Sequence, residues 1–259
     1  MNAKGFGSLK CIYTSRTLNR SESKEPTTNT TSKTKKRMNM TSEGISENLA
    51  SELKENRWGM RSVVSVALAV WLAIVFVLGS RGAFVGPEGS PPLAIFLGLA
   101  IPLAVFFAAY FRWSAFRAFI LGADLRLVAA IQGWRWAGLG FLSLYAHGIL
   151  PGLFAFPAGL GDMAIGFTAP WMVLGLARQR EFAASPRFVT WNILGILDLV
   201  VAVSMGTISS GFLPGLTGNV TSSAMAQLPL VLVPAYLVPF FIMLHFTALA
   251  QARSRAPVC

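Results

Sequence analysis

Three polar side chains inside stretches otherwise apolar enough to lie in lipid form a plausible buried cluster: His147, Asp162 and Asp198. A carboxylate at mid-bilayer costs about 2.5 to 3.5 kcal/mol on insertion scales, so it must face a bundle interior and either find a partner or hold a proton. Imidazole changes charge near neutral pH. Acids and an imidazole at similar depth are therefore the chemistry of a proton or polar-solute path. Counting about 1.5 Å per residue from the cytoplasmic ends of the expected spans places Asp198 ~15 Å in, His147 ~16 Å in and Asp162 ~22 Å in, close to the outer face. Asp198 shares a helical face with Gly195 and Ala202, Asp162 with Gly166 and Ala169, and His147 with Gly140 and Ser143. Such small residues allow close helix contact. Two readings follow. In one, Asp198 and His147 pair across helices on a path that opens outward past Asp162. In the other, Asp198 is neutral and bonded to a backbone carbonyl, while His147 donates within its own helix.

His245 shares its face with Phe241, Ile242 and Leu249, ~8 Å from the inner boundary, a depth that does not match His147 for a shared haem. It reads as a snorkelling or locally bonded histidine. Gly159-Leu160-Gly161-Asp162 spells GxGD and resembles the element around one catalytic aspartate of presenilin-like intramembrane proteases and prepilin peptidases. Pro234-Ala235-Tyr236 resembles the PAL element of the former. The resemblance implies hydrolysis by paired aspartates, although here the mid-membrane candidate Asp198 follows GxGD, where those families place the partner before it. The plainer account is a turn whose glycines permit reversal and whose aspartate caps the next helix.

The elements that must hold these residues are membrane spans. The chain has 259 residues, 54% of them hydrophobic and 13% charged, with a mean hydropathy of +0.57. That excludes an ordinary soluble domain. Spans are expected at about 62–79, 93–111, 136–156, 160–177, 188–208 and 228–250, giving an all-α protein of six transmembrane helices. The tight turn Phe156-Pro157-Ala158-Gly159 should join the third and fourth. Pro229, Pro234 and Pro239 mark the sixth for a kink. Residues 112–135, carrying Arg117, Asp124 and Arg126 among large apolar side chains, suit an amphipathic helix at the inner interface, or an extension of the second span.

The net charge of +11 does not describe a nucleic-acid surface, because nine of the basic residues precede residue 38 and the others border spans. Lys54, Arg57, Arg61, Arg112, Arg117, Arg126, Arg135, Arg178, Arg180, Arg187, Arg253 and Arg255 all fall on one side of the six-span drawing, and only Arg81 on the other. Basic residues beside spans are retained in the cytoplasm, so both termini are expected inside. Residues 1–58 are polar and are expected to be disordered, with Met38, Met40 and Met60 as alternative starts. The multi-span domain is expected over 60–252, with a short cytoplasmic tail at 253–259. Cys11 and Cys259 form neither a disulfide framework nor a ligand cluster.

From Met60 onward the chain resembles small multi-pass bacterial inner-membrane proteins with no assigned activity. FLSLYAHGILPGLFAFPAGLGDMAIGFTAP, NILGILDLVVAV and LPLVLVPAYLVPFFIMLH carry the likeness. The resemblance implies residence in a bacterial plasma membrane. The expected partners are the lipid bilayer and a small solute or proton, with no nucleic acid and no cofactor. A small transporter or proton-coupled channel leads, a non-catalytic accessory or scaffolding protein is the alternative, and an intramembrane hydrolase is third.

Overall fold

In a computed structural model, which describes residues 59–87, 89–212 and 220–255, the described residues form helices, turns and no strand. The expectations for residues 1–58, and for the ends of the chain, lie outside the described residues. Five helices are long and apolar enough to cross a membrane: α1 (Gly59–Ser80), α2 (Leu93–Arg112), α6 (Gly152–Arg178), α7 (Pro186–Ile208), and Val233–Arg255, which opens with a π-helical turn (Val233–Leu237) and continues as α8 (Val238–Arg255). Their outer faces are apolar. On α7, Ile193, Leu194, Leu197 and Val200 are about half exposed, whereas Phe188, Trp191, Asn192, Gly195 and Leu199 are buried. A helix that buries its one amide and a close-packing glycine among large side chains, and exposes a wholly apolar face, suits a lipid surround.

The third expected span, 136–156, is corrected. No single helix covers it. The chain runs through α3 (Ser114–Leu121), α4 (Leu125–Ile131), a 3₁₀ segment (Gln132–Gly138) and α5 (Leu139–Ala146), then turns at residues 147–151 into α6. The expected turn at 156–159 lies inside α6, with Pro157 tolerated in its second turn. Residues 112–135 are likewise not one amphipathic helix. Extended backbone at Trp113 separates α3 from α2, and the bend at Gly122, Ala123 and Asp124 separates α3 from α4. The sixth expected span begins at Val233 and not at 228, because residues 228–231 form turns.

Together α4, the 3₁₀ segment and α5 make one composite rod lying antiparallel along α6. Leu125, Val128 and Ala129 pack with Ile165 and Ala169, the Phe141 and Phe154 rings are 5.3 Å apart, and Tyr145 meets Phe156 at 4.8 Å. At about 1.5 Å per α-helical and 2.0 Å per 3₁₀ residue, the rod is roughly 36 Å long against roughly 40 Å for α6. Glycines set the spacing between them. A Cβ on Gly166 would lie 2.6 Å from the Trp136 backbone N, and one on Gly138 would lie 2.6 Å from Asp162 Cβ and 2.8 Å from the Gly159 carbonyl O.

The remaining helices follow the same alternation. A Cβ on Gly195 of α7 would meet the His245 ring of α8, Phe106 and Tyr110 of α2 meet Phe246, and Trp71 of α1 meets Tyr236. These contacts gather Arg61, Arg112, Arg126, Arg178, Arg187, Arg253 and Arg255 at one end of the bundle. Gln251 secures that end from within, donating through Nε2 to the carbonyls of Ile120 (3.0 Å) and Ala123 (2.9 Å).

Asp124 starts the composite rod. Its Oδ1 accepts from the Arg126 backbone N–H at 2.9 Å, and that bond holds the carboxyl below the usual aspartate range, against the opposing effect of burial. A group with a depressed folded-state pKa stabilises fully above its unfolded pKa, and the contribution disappears as pH falls through the folded value. Asp124→Ala should cost about 1 kcal/mol, as loss of an N-cap does. Unfolding in detergent should show that difference near neutral pH and a smaller one in strong acid, where the protonated carboxyl is the weaker acceptor.

Candidate functional site

The composite rod delivers Arg135 to the middle of the bundle. Counted from the end of the bundle where the arginines gather, Arg135, Asp198 and His245 lie about 15 to 18 Å in and Asp162 about 24 Å in. Arg135 retains only 2% of its accessible surface. Its Nε donates to Asp162 Oδ1 on α6 at 2.6 Å, and its Nη2 donates to Asp198 Oδ2 on α7. Nη1 donates to the Gly195 carbonyl at 3.3 Å and lies 3.1 Å from His245 Nε2. The Phe241 ring centroid is 5.8 Å from the guanidinium carbon, within cation–π range. One planar cation thus ties together the composite rod, α6, α7 and α8, a task that suits a guanidinium with several fixed donors.

The same geometry assigns the histidine tautomer. A guanidinium only donates, so His245 Nε2 accepts and Nδ1 carries the hydrogen. Nδ1 donates to Asn192 Oδ1 at 2.9 Å, and Asn192 Nδ2 in turn donates to the Phe188 carbonyl at 2.8 Å. The imidazole in this arrangement is neutral, with both ring nitrogens engaged. The cluster therefore holds one cation and two carboxylates.

Of the three residues singled out in the sequence, Asp162 and Asp198 come together, through Arg135. His147 does not join them. It is exposed, sits in the turn after α5 and, among the described residues, bonds back to its own helix, Nδ1 to the Ser143 carbonyl O at 2.8 Å. The expected pairing of His147 with Asp198 is thus corrected. The cause is an 11-residue error of register: the third rod starts at Leu125 and not at Trp136, which moves His147 to the rod's far end. Arg135, expected as a cytoplasmic flanking charge, moves inward by the same amount. Asp162 does not cap a helix, and His245 is no snorkelling group, being fully buried. Gly161 of the GxGD string serves α7: a Cβ there would collide with Asp198 Oδ1. Because Arg135 bonds both carboxylates, the pair is not arranged as two acids sharing one proton. Among the described residues, no group of three or more His, Cys, Asp or Glu side chains could hold a metal ion.

Arg135 was open to detection from sequence by charge balance. Two acids placed in lipid call for a cation, and Asp124 ahead of LRLVAAI is a helix start that puts Arg135 half a span further on.

The carboxylates are not sealed. A cleft of about 690 Å³ runs from the α1–α2 turn and residues 221–227 down to Asp162, and a smaller cavity of about 150 Å³ beside Trp134 reaches Arg135 and Asp162 from the flank. Asp162 and Asp198 keep 15% and 13% of their side-chain surface exposed. Asp198 lines neither cavity.

No curated protein and no solved structure matches the chain. A family model described as a domain of unknown function, DUF8737, matches residues 92–253, which hold α2 through α7, all but the last two residues of α8 and every member of the Arg135 cluster, and the chain belongs to that family.

Proposed function

We propose that this is a six-crossing plasma-membrane protein, both termini cytoplasmic, that binds and passes protons at the Arg135, Asp162 and Asp198 cluster as part of solute transport. The sixth crossing is the composite rod, roughly as long as α6 though broken by its 3₁₀ segment. Irregular backbone at membrane depth is tolerated where it is buried in protein or lines a cavity, and here it lies against Gly166 and Gly138. The gathering of Arg112, Arg126, Arg178, Arg187, Arg253 and Arg255 at one end supports the orientation.

The observation that carries the functional reading is the charge count beside a cleft. Two carboxylates share one guanidinium, and the imidazole that adjoins it is neutral by its hydrogen bonds. An unbalanced negative charge in a low-dielectric interior is costly, so the cluster takes up one positive charge. Asp162, which lines the cleft, is where that charge arrives.

One observation favours a second reading. The Arg135 nitrogens all bond protein groups, on three other elements, which is also how a static tie in a scaffolding protein would be built. Infrared difference titration separates the two. The first reading expects the stretch of one protonated carboxyl to appear and vanish as pH is varied, altered by Asp162→Asn and by Asp198→Asn. Two carboxylates that stay ionised throughout would leave only the static tie.

A further inference from the structure

The cleft above Asp162 has a composition that the proton reading does not require. Its walls include Phe84, Phe96, Phe141 and Phe154, its outer part carries hydroxyls such as Thr207 and Ser210, and among the described residues its only charged lining group is Asp162. Aromatic walls and a single carboxylate at the base favour a cation with an organic body. Ring faces attract cations, apolar walls remove water from the body, and the acid supplies the counter-charge. A free inorganic cation would gain little from four phenyl rings, and an anion would meet Asp162 with no basic group exposed beside it, because Arg135 is buried behind the two carboxylates. The oxygen that could receive the cation is identified too. Asp162 Oδ1 is taken by Arg135 Nε, and among the described residues no donor is bonded to Oδ2.

Resting on the proton reading above, we propose that the cleft binds an aromatic or otherwise apolar organic monocation against Asp162, in one-for-one exchange with the proton. The balance is simple. The neutral carboxylic acid releases H⁺ to the aqueous cleft, and the resulting carboxylate pairs with the arriving cation, so the cluster's charge does not change and no covalent bond to the cation forms. Among the described residues, the charged and titratable groups facing Asp162 are Arg135 from the 3₁₀ segment, Asp198 from α7 and, behind Arg135, His245 from α8.

The test uses the full chain in detergent and two probes of the same shape and opposite charge, tetraphenylphosphonium and tetraphenylborate. Calorimetric titration in buffers of differing ionisation enthalpy yields both affinity and protons released. The expected result is saturable binding of one tetraphenylphosphonium per chain, up to one proton released for each cation, and a Kd that rises about tenfold per pH unit on the acid side. Tetraphenylborate should show no saturable binding, and Asp162→Asn should abolish cation binding. Should that variant fail to fold, proton release by the natural protein still decides. Equal binding of the two probes, binding without proton release, or no saturable binding of the phosphonium would overturn the proposal. If the carboxyl infrared signal persists while the phosphonium fails to bind, the cation assignment alone is lost. If the signal is absent too, both readings fall.

Discussion

Arg135→Leu is expected to remove most of the folded protein. The substitution leaves Asp162 and Asp198 together in the bundle interior with their shared cation gone, and it strips His245 Nε2 of its donor. Removing one partner of a buried ion pair costs about 3 to 5 kcal/mol, because the uncompensated charge remains. Three groups are stranded here. Arg135→Lys should recover only part of the loss, since an ammonium cannot span two carboxylates, a carbonyl and an imidazole in one plane. The triple variant Arg135→Leu, Asp162→Asn, Asp198→Asn should recover more than the lysine, because no charge is left to neutralise. Thermal unfolding in detergent with size-exclusion recovery measures all three. If Arg135→Leu were as stable as the natural protein, Arg135 would not be the tie between the helices.

The second large effect concerns glycines at the helix crossings. A Cβ at Gly166 would lie 2.6 Å from the Trp136 backbone N and 3.0 Å from the Arg135 carbonyl carbon, and the backbone cannot move aside without displacing the guanidinium. A Cβ at Gly195 would strike the His245 ring, which Asn192 and Arg135 hold on both sides. Overpacking costs about 1 to 3 kcal/mol, and Gly166→Ala and Gly195→Ala should each reach the upper part of that range. Gly133 and Gly140, on the same composite rod, have nothing within 4 Å of an added Cβ. Their alanine variants should unfold where the natural protein does. A uniform response at all four positions would mean that the composite rod does not lie against α6 as described.

The sequence made membrane residence, the five long helices (though not the starts of α6 and of the last) and the one-ended distribution of arginines readable, because each follows from apolar length and flanking charge. The glycines beside the acids were readable as well: Gly195 and Gly166 lie where helices meet. The break in the third rod was not. A 3₁₀ segment flanked by two short helices leaves no apolar run of full length, so the run beginning at Trp136 looked like a span and the 147–151 turn like its interior. That single displacement hid Arg135 among cytoplasmic charges and gave His147 a role that belongs to other residues. His245 was misjudged for a related reason. Its neighbours in sequence are apolar, whereas Asn192 and Arg135 reach it from other helices, and tertiary partners of that kind leave no local trace.

Arginine footprinting with phenylglyoxal, read by peptide mass spectrometry on membranes opened to both faces, tests the central placement without any substitution. Arg126 and Arg178 are exposed at the end of the bundle, whereas Arg135 is buried between the two carboxylates. Arg126 and Arg178 should react while Arg135 stays unmodified until the protein unfolds. Modification of Arg135 at the same rate as Arg126 would return it to the membrane surface and contradict the account.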